Sequence, residues 1–178
     1  VLALAGVLVG GVLLLARARR SVRHVALVSS VLVLLVLAGP ALYDGLYERL
    51  HFKLTYTGQR YRTLIETKSG VVAMTQQGLV YGGGIYDGEM KTTFDTLDDD
   101  SNMLFRTYAL SAFHPALEEI LVVGLGSGSW AKVLAAHPQA RRVTVIEINP
   151  GYVDLLRDDP LVGSVLTDPK VEIVIDDG

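Results

Sequence analysis

The chain has 178 residues, half of them apolar, with a formal net charge of −3 and no cysteine. That composition excludes disulfides, thiolate metal sites and cysteine nucleophiles, and it gives no electrostatic reason to expect nucleic acid as a partner. The mean hydropathy is positive, and the excess sits in the first 42 residues, so two regimes are read separately.

Residues 1–16 contain only Val, Leu, Ala and Gly. As a helix this run spans roughly 24 Å at ~1.5 Å per residue, short of a ~30 Å hydrocarbon core. It is therefore expected to be the tail of a span. A basic loop over 17–24 follows, with Arg17, Arg19, Arg20 and Arg23. Residues 25–42 form a second run without a charge, about 27 Å long as a helix. Tyr43 and Tyr47 come next, where aromatic rings suit the membrane interface. Residues 1–43 thus predict two transmembrane helices with membrane lipid as partner. A secretory signal fits poorly, because its charges precede a single apolar core. Sidedness stays open, since Arg49, Lys53, Arg60 and Arg62 also lie close to the second run.

Leu42, Leu46, Leu50 and Leu54 recur at every fourth residue. This spacing predicts an amphipathic helical connector over 44–60. From residue 61 the pattern becomes β-like. RTLIE, GVVAMTQ and GLVYGG are short runs broken by Lys68-Ser69-Gly70, Gln77-Gly78 and Gly82-Gly83-Gly84, with Asp87-Gly88 as a further turn signal. A small antiparallel β domain is expected over 61–100. LDDD at 97–100 reads as a solvated turn and helix start rather than a metal site, and no metal is expected. SNMLFRTYALSAFHP then predicts a helix with a mostly apolar face, ending at Pro115. His114 reads as a packed loop residue.

Residues 101–178 carry the chemistry. ILVV is a continuous apolar run, as expected of a strand covered on both faces. Gly124, Gly126 and Gly128 follow at once, then SWAKVLAAH as a helix, RRVTVIEI as a strand, a helix opened by Asn149-Pro150, and VEIVIDD as a third strand. The β-α-β-α-β alternation is the first half of a doubly wound parallel sheet, a Rossmann-like half-domain in an α/β chain. In such a sheet, glycines at the first strand's end bring bare backbone to a ligand. The spacing is G-x-G-x-G rather than G-x-G-x-x-G, which departs from the dinucleotide fingerprint. Glu147 ends the second strand, where a carboxylate can accept both ribose hydroxyls. Asp176 and Asp177 end the third, where an acid can meet an adenine amino group. A ligand-free glycine turn and an exposed strand-end acid are the plainer alternatives. Taken together, the three strand ends predict one adenosine site.

Residues 66–178 resemble the spermidine/spermine synthases, which are aminopropyltransferases. The closest similarity is to bacterial members joined to membrane helices. The resemblance is carried by GGGIYDGE (82–89), FHPALEEILVVGLGSGS (113–129), VIEINP (145–150) and DPKVEIVIDDG (168–178). It implies a β domain followed by a methyltransferase-like Rossmann domain. It also implies decarboxylated S-adenosylmethionine as donor and a small amine as acceptor. Glu147 matches the family acid that holds the donor's ribose, and Asp177 the acid near its adenine. Gly124, Gly126 and Gly128 match the loop around the donor's methionine-derived chain.

Four departures concern the amine side. Ser127 stands where the family loop carries an Asp, and Lys91 stands where it has a Gln. Asn102-Met103-Leu104 replaces a Tyr-x-Glu pair, and the family's catalytic Asp is expected after Gly178. Asp87, Lys91 and Asn102 are the substrate-side candidates. Both ends read as cut, so the chain is expected to be a window on a longer protein and inactive by itself. The alternatives are an S-adenosylmethionine-dependent methyltransferase or a non-catalytic membrane-tethered nucleoside-binding domain. A homodimer is compatible with either.

Overall fold

The computed structural model describes residues 6–7, 9–11, 13, 22–93, 95–96, 102–114 and 116–177. The chain divides into two units, Val1–Thr57 and Gly58–Gly178.

In the first unit, α1 (Val22–Tyr43) is apolar over most of its length and carries Pro40 near its end. A window of 18 residues within it, Ala26–Tyr43, has a mean hydropathy of 2.2, and none of it is buried. Among the described residues it is the one helix long and apolar enough to cross a membrane. Two spans were expected. The first, 1–16, lies for the most part outside the described residues, as does most of the basic loop.

The expected leucine stripe is not one helical face. The chain turns after α1, with Gly45 in the left-handed region at φ 63°, and restarts as α2 (Leu46–Phe52). A short 310 turn, Lys53–Thr55, follows. Leu50 and Leu54 are exposed, whereas Glu48 is buried. The break at Gly45 shifts the register, so a four-residue repeat in sequence does not become a continuous ridge in space.

The second unit opens with a meander of four antiparallel strands in sequence order: β1 (Thr63–Thr67), β2 (Gly70–Met74), β3 (Leu79–Gly82) and β4 (Ile85–Glu89). The β3–β4 turn is Gly83-Gly84, both at positive φ (58° and 85°). Positive φ at both central residues is what a two-residue hairpin turn matching strand twist requires. Asp87-Gly88, expected at a turn, instead lies inside β4. Tyr81 pairs with Tyr86 and Leu79 with Glu89, so Asp87 and Gly88 stand opposite the single residue Val80. This is a β-bulge, and Gly88 takes its strained backbone at φ 116°.

Residues 97–101 and Pro115 lie outside the described residues. Helix α3 (Phe105–Phe113) buries Thr107, while Tyr108 and Phe113 remain exposed. Three parallel strands follow: β5 (Glu119–Val123), β6 (Arg142–Glu147) and β7 (Val171–Ile175), hydrogen-bonded in that order. Helix α4 (Ser129–Ala135) joins β5 to β6, and α5 (Gly151–Leu156) leads from β6 towards β7. This is the mixed α/β architecture read from the sequence. Val72, Met74 and Val80 of the meander share one apolar cluster with Val143, Val145, Leu134, Leu155 and Leu156. Each such side chain contributes about 1.5–3 kcal/mol when fully buried. The two sheets are therefore one cooperative body.

Candidate functional site

Parallel pairing brings the three strand ends to one edge. Gly124 N–H donates to the carbonyl of Ile146 at 2.8 Å, and Asp176 N–H donates to the carbonyl of Glu147 at 3.1 Å. Between β5 and α4 the loop residues Gly124, Gly126 and Gly128 all have positive φ. A methyl group on Gly124 would meet nothing within 4 Å. One on Gly126 would lie 2.8 Å from the carbonyl oxygen of Asp87, and one on Gly128 would lie 2.6 Å from the side chain of Leu156. Two of the three glycines therefore make room for the protein's own chain, and only Gly124 faces open space.

Glu147 is buried, 4 % exposed. Its Oε2 accepts the N–H of Leu125 at 2.7 Å, and its Oε1 accepts the N–H of Asn149 at 2.7 Å. The carboxylate thus ties the end of β6 to the glycine loop. Asp176 and Asp177 are exposed, and Asp176 Oδ1 accepts the N–H of Asp177.

The meander reaches the same loop through β4. Asn102 is buried, and its amide closes a clip on the strand's exit. Its Oδ1 accepts from Glu89 N–H at 2.9 Å, and its Nδ2 donates to the carbonyls of Glu89 at 2.7 Å and Lys91 at 3.1 Å. Trp130 Nε1 donates to the Asn102 carbonyl at 2.7 Å. Ser129 Oγ donates to the Glu89 carbonyl at 2.7 Å and accepts from Lys91 N–H at 3.3 Å. Ser127 is buried, with its hydroxyl 3.2 Å from that of Ser129. Asn102 thus acts as a strut, a role its position opposite a family tyrosine did not reveal.

Asp87 is held from a third direction. The Tyr152 hydroxyl, on α5, donates to Asp87 Oδ2. Tyr152 is 6 % exposed. Burial, and then the neighbouring Asp87 and Glu147 charges, push its phenol well above the usual tyrosine range, so it keeps its proton and remains a donor. Nearby, Asn149 Oδ1 accepts from Gly151 N–H at 3.0 Å and from the Thr67 hydroxyl at 2.7 Å, pinning α5 to β1.

An open cleft of about 710 Å³, the size range of small-molecule sites, runs between β4, Asn102, α3, β5 and the glycine loop. Of the predicted residues, Asp87, Asn102, Gly124, Gly126 and Ser127 line it. Gly128, Glu147, Asp176, Asp177 and Lys91 lie outside its lining. Arg106 of α3 and Trp130 line it and were not anticipated. A single charge on an apolar helix was the available signal for Arg106. Among the lining residues, Asp87 is the one acidic side chain and Arg106 the one permanently cationic one.

The comparisons with known proteins agree with this architecture. No protein-family model matches the chain. A polyamine aminopropyltransferase of Streptomyces coelicolor is 31% identical over 163 residues, covering 85% of this chain and 27% of that protein. The polyamine aminopropyltransferase of Bacillus subtilis is 32% identical over 66 residues, covering 36% of this chain and 24% of that one. The chain thus spans about a quarter of the length of these relatives. Among solved structures, spermidine synthase from Thermotoga maritima matches with a TM-score of 0.52 at 15% identity, over 66% of this chain and 42% of that one. A spermidine synthase in complex with the transition state analogue AdoDATO matches with a TM-score of 0.51, also at 15% identity, over 66% and 40%. The shared feature at that identity is the fold.

Proposed function

We propose that this chain, a relative of the spermidine/spermine synthases by sequence and by fold, is the donor-binding part of a membrane-anchored aminopropyltransferase. The reading takes decarboxylated S-adenosylmethionine as donor and a small amine as acceptor. The observation that carries it is the similarity over 85% of the chain to a polyamine aminopropyltransferase. The cleft runs along β5 and reaches the glycine loop at its carboxyl end, which supports it, because that edge is where doubly wound sheets bind ligands. Gly124, Gly126 and Ser127 would face the donor's chain and Asp177 its adenine, while Glu147, whose oxygens hold the N–H groups of Leu125 and Asn149, would shape the loop beside the ribose.

Aminopropyl transfer is attack by a neutral amine on a carbon next to a sulfonium. The acceptor must lose a proton and be aligned with that carbon. Ser127 in the loop and the hydrogen-bonded amide of Asn102 supply no base for that step. The chain's own residues therefore account for donor binding. Helix α1 is the proposed anchor.

A second reading is favoured by one observation. Arg106 lines the cavity, and a guanidinium there suits a donor that retains its carboxylate, as S-adenosylmethionine does. Lys91, a substrate-side candidate from the sequence, is not in the lining.

Calorimetric titration with decarboxylated S-adenosylmethionine, S-adenosylmethionine and methylthioadenosine separates these readings. The first is expected to bind more tightly than the second. The reverse order supports the methyltransferase reading, and heat from none of the three removes both. Glu147→Ala is expected to weaken methylthioadenosine by about 1–3 kcal/mol.

A further inference from the structure

We propose that Asp87, aimed by the β-bulge and held by Tyr152, is the counter-ion for the ammonium at the end of the donor's side chain. The proposal rests on the reading of the cavity as a donor site.

The donor's chain is cationic, and a cation taken out of water needs a paired carboxylate. The loop 124–129 contains no acid. Glu147 has both oxygens in backbone hydrogen bonds and lies outside the cavity's lining. Asp176 and Asp177 lie outside it as well. Asp87 is the carboxylate in the wall. It comes from the meander but stands over the loop: a methyl on Gly126 would be 3.8 Å from Asp87 Oδ1 as well as 2.8 Å from its carbonyl oxygen.

The sequence around Asp87 explains its aim. In a regular strand, side chains alternate faces. The bulge at Asp87-Gly88 breaks that alternation, and bulges next to sites commonly redirect a side chain. Gly88 cannot carry a side chain here, because a methyl would lie 2.7 Å from Ser127 Oγ. The Tyr152 hydroxyl then engages Oδ2. One oxygen is fixed by a protonated phenol, and the other is left beside the glycine loop. Tyr152 is a positioning residue in this arrangement. The meander thereby delivers a negative charge to a loop whose own sequence lacks one.

The test is calorimetric titration of the full chain in detergent with decarboxylated S-adenosylmethionine and with methylthioadenosine, which lacks the aminopropyl ammonium. Asp87→Asn is expected to weaken the first on the order of 10- to 100-fold and leave the second unchanged. Tyr152→Phe is expected to weaken the first by about 3- to 10-fold, again without moving the second. Loosened packing alone would lower both affinities alike, so the ratio between ligands separates positioning from folding. If both ligands bind and Asp87→Asn changes both equally, or neither, the counter-ion role is overturned while the donor site stands. If neither ligand binds the unsubstituted chain, the donor reading fails and the proposal with it.

Discussion

The carboxylate of Glu147 accepts the backbone N–H of Leu125 at 2.7 Å, across 22 residues of sequence. The strand-end acid is therefore part of what shapes the glycine loop. Its other oxygen holds Asn149, the residue that pins α5 to β1. Glu147→Gln keeps the size but sets an NH2 group against a backbone donor. The expected cost is about 1.5–3 kcal/mol of stability, the range for a hydrogen bond to a charged group. Trp130 is the chain's single tryptophan and hydrogen-bonds Asn102 within the same unit, so its fluorescence reports the unfolding midpoint. A midpoint equal to that of the unsubstituted chain would show that these two bonds contribute no stability.

The glycines of the loop should separate by their surroundings. Gly124→Ala and Gly126→Ala both place a side chain at positive φ, which costs roughly 1–2 kcal/mol per residue. Only the second also meets backbone, the Asp87 carbonyl at 2.8 Å. Gly126→Ala should therefore lower stability further than Gly124→Ala and weaken ligand binding by pushing β4 off the loop. Thermal melts of the two variants compare them directly. Equal losses would mean that the approach of Asp87 to the loop is not tight in solution.

Much of this arrangement is legible in local sequence. A continuous apolar run followed by glycines marks β5 and its loop, and Asn149-Pro150 marks the opening of α5. These signals act within a few residues, but burial does not: β5, expected to be covered on both faces, leaves Leu121 and Val123 exposed on one of them. What escapes is chemistry decided by distant partners. Asp87-Gly88 has the composition of a turn, yet the Gly83-Gly84 turn preceding it leaves the pair inside β4, where it forms a bulge. Tyr152 reads as one more residue of an amphipathic helix, and its partner lies 65 positions away. Asn102 reads as a substrate-side candidate until Glu89 and Lys91 claim its amide. A four-residue leucine repeat suggests a helix face, but one left-handed residue, Gly45, breaks it.

The Tyr152 hydroxyl should give the fold an alkaline limit. Its folded value is raised above the unfolded value of 10.0. Below about pH 10 the phenol is protonated in both states and its contribution is complete. As the pH rises further, the unfolded chain releases the proton while the folded chain retains it, so stability falls. Denaturation curves from about pH 9 to about pH 11 should show a steeper loss for the unsubstituted chain than for Tyr152→Phe. Every other group is common to the two proteins, so the difference isolates this phenol. Parallel pH profiles would mean that the phenol is not desolvated beside Asp87.

With α1 as the proposed anchor, the chemistry of the donor rather than flanking charge would decide which side of a membrane residues 58–178 face. Arg17, Arg19, Arg20 and Arg23 precede the apolar stretch of α1, and Arg49, Lys53, Arg60 and Arg62 follow it. The positive-inside rule counts basic residues within about 15–20 residues of a span and finds no bias here. A donor that is a charged nucleoside sulfonium does not cross a hydrocarbon core unaided. If the cavity binds such a donor from the compartment where it is made, residues 58–178 must face the cytoplasm. A reporter that is active only in the cytoplasm, fused after residue 178, is therefore expected to be active. A reporter that functions only after export should be silent at the same junction. The opposite pair of results would place the glycine loop beyond the donor's reach and leave a ligand of another class to be sought for the cavity.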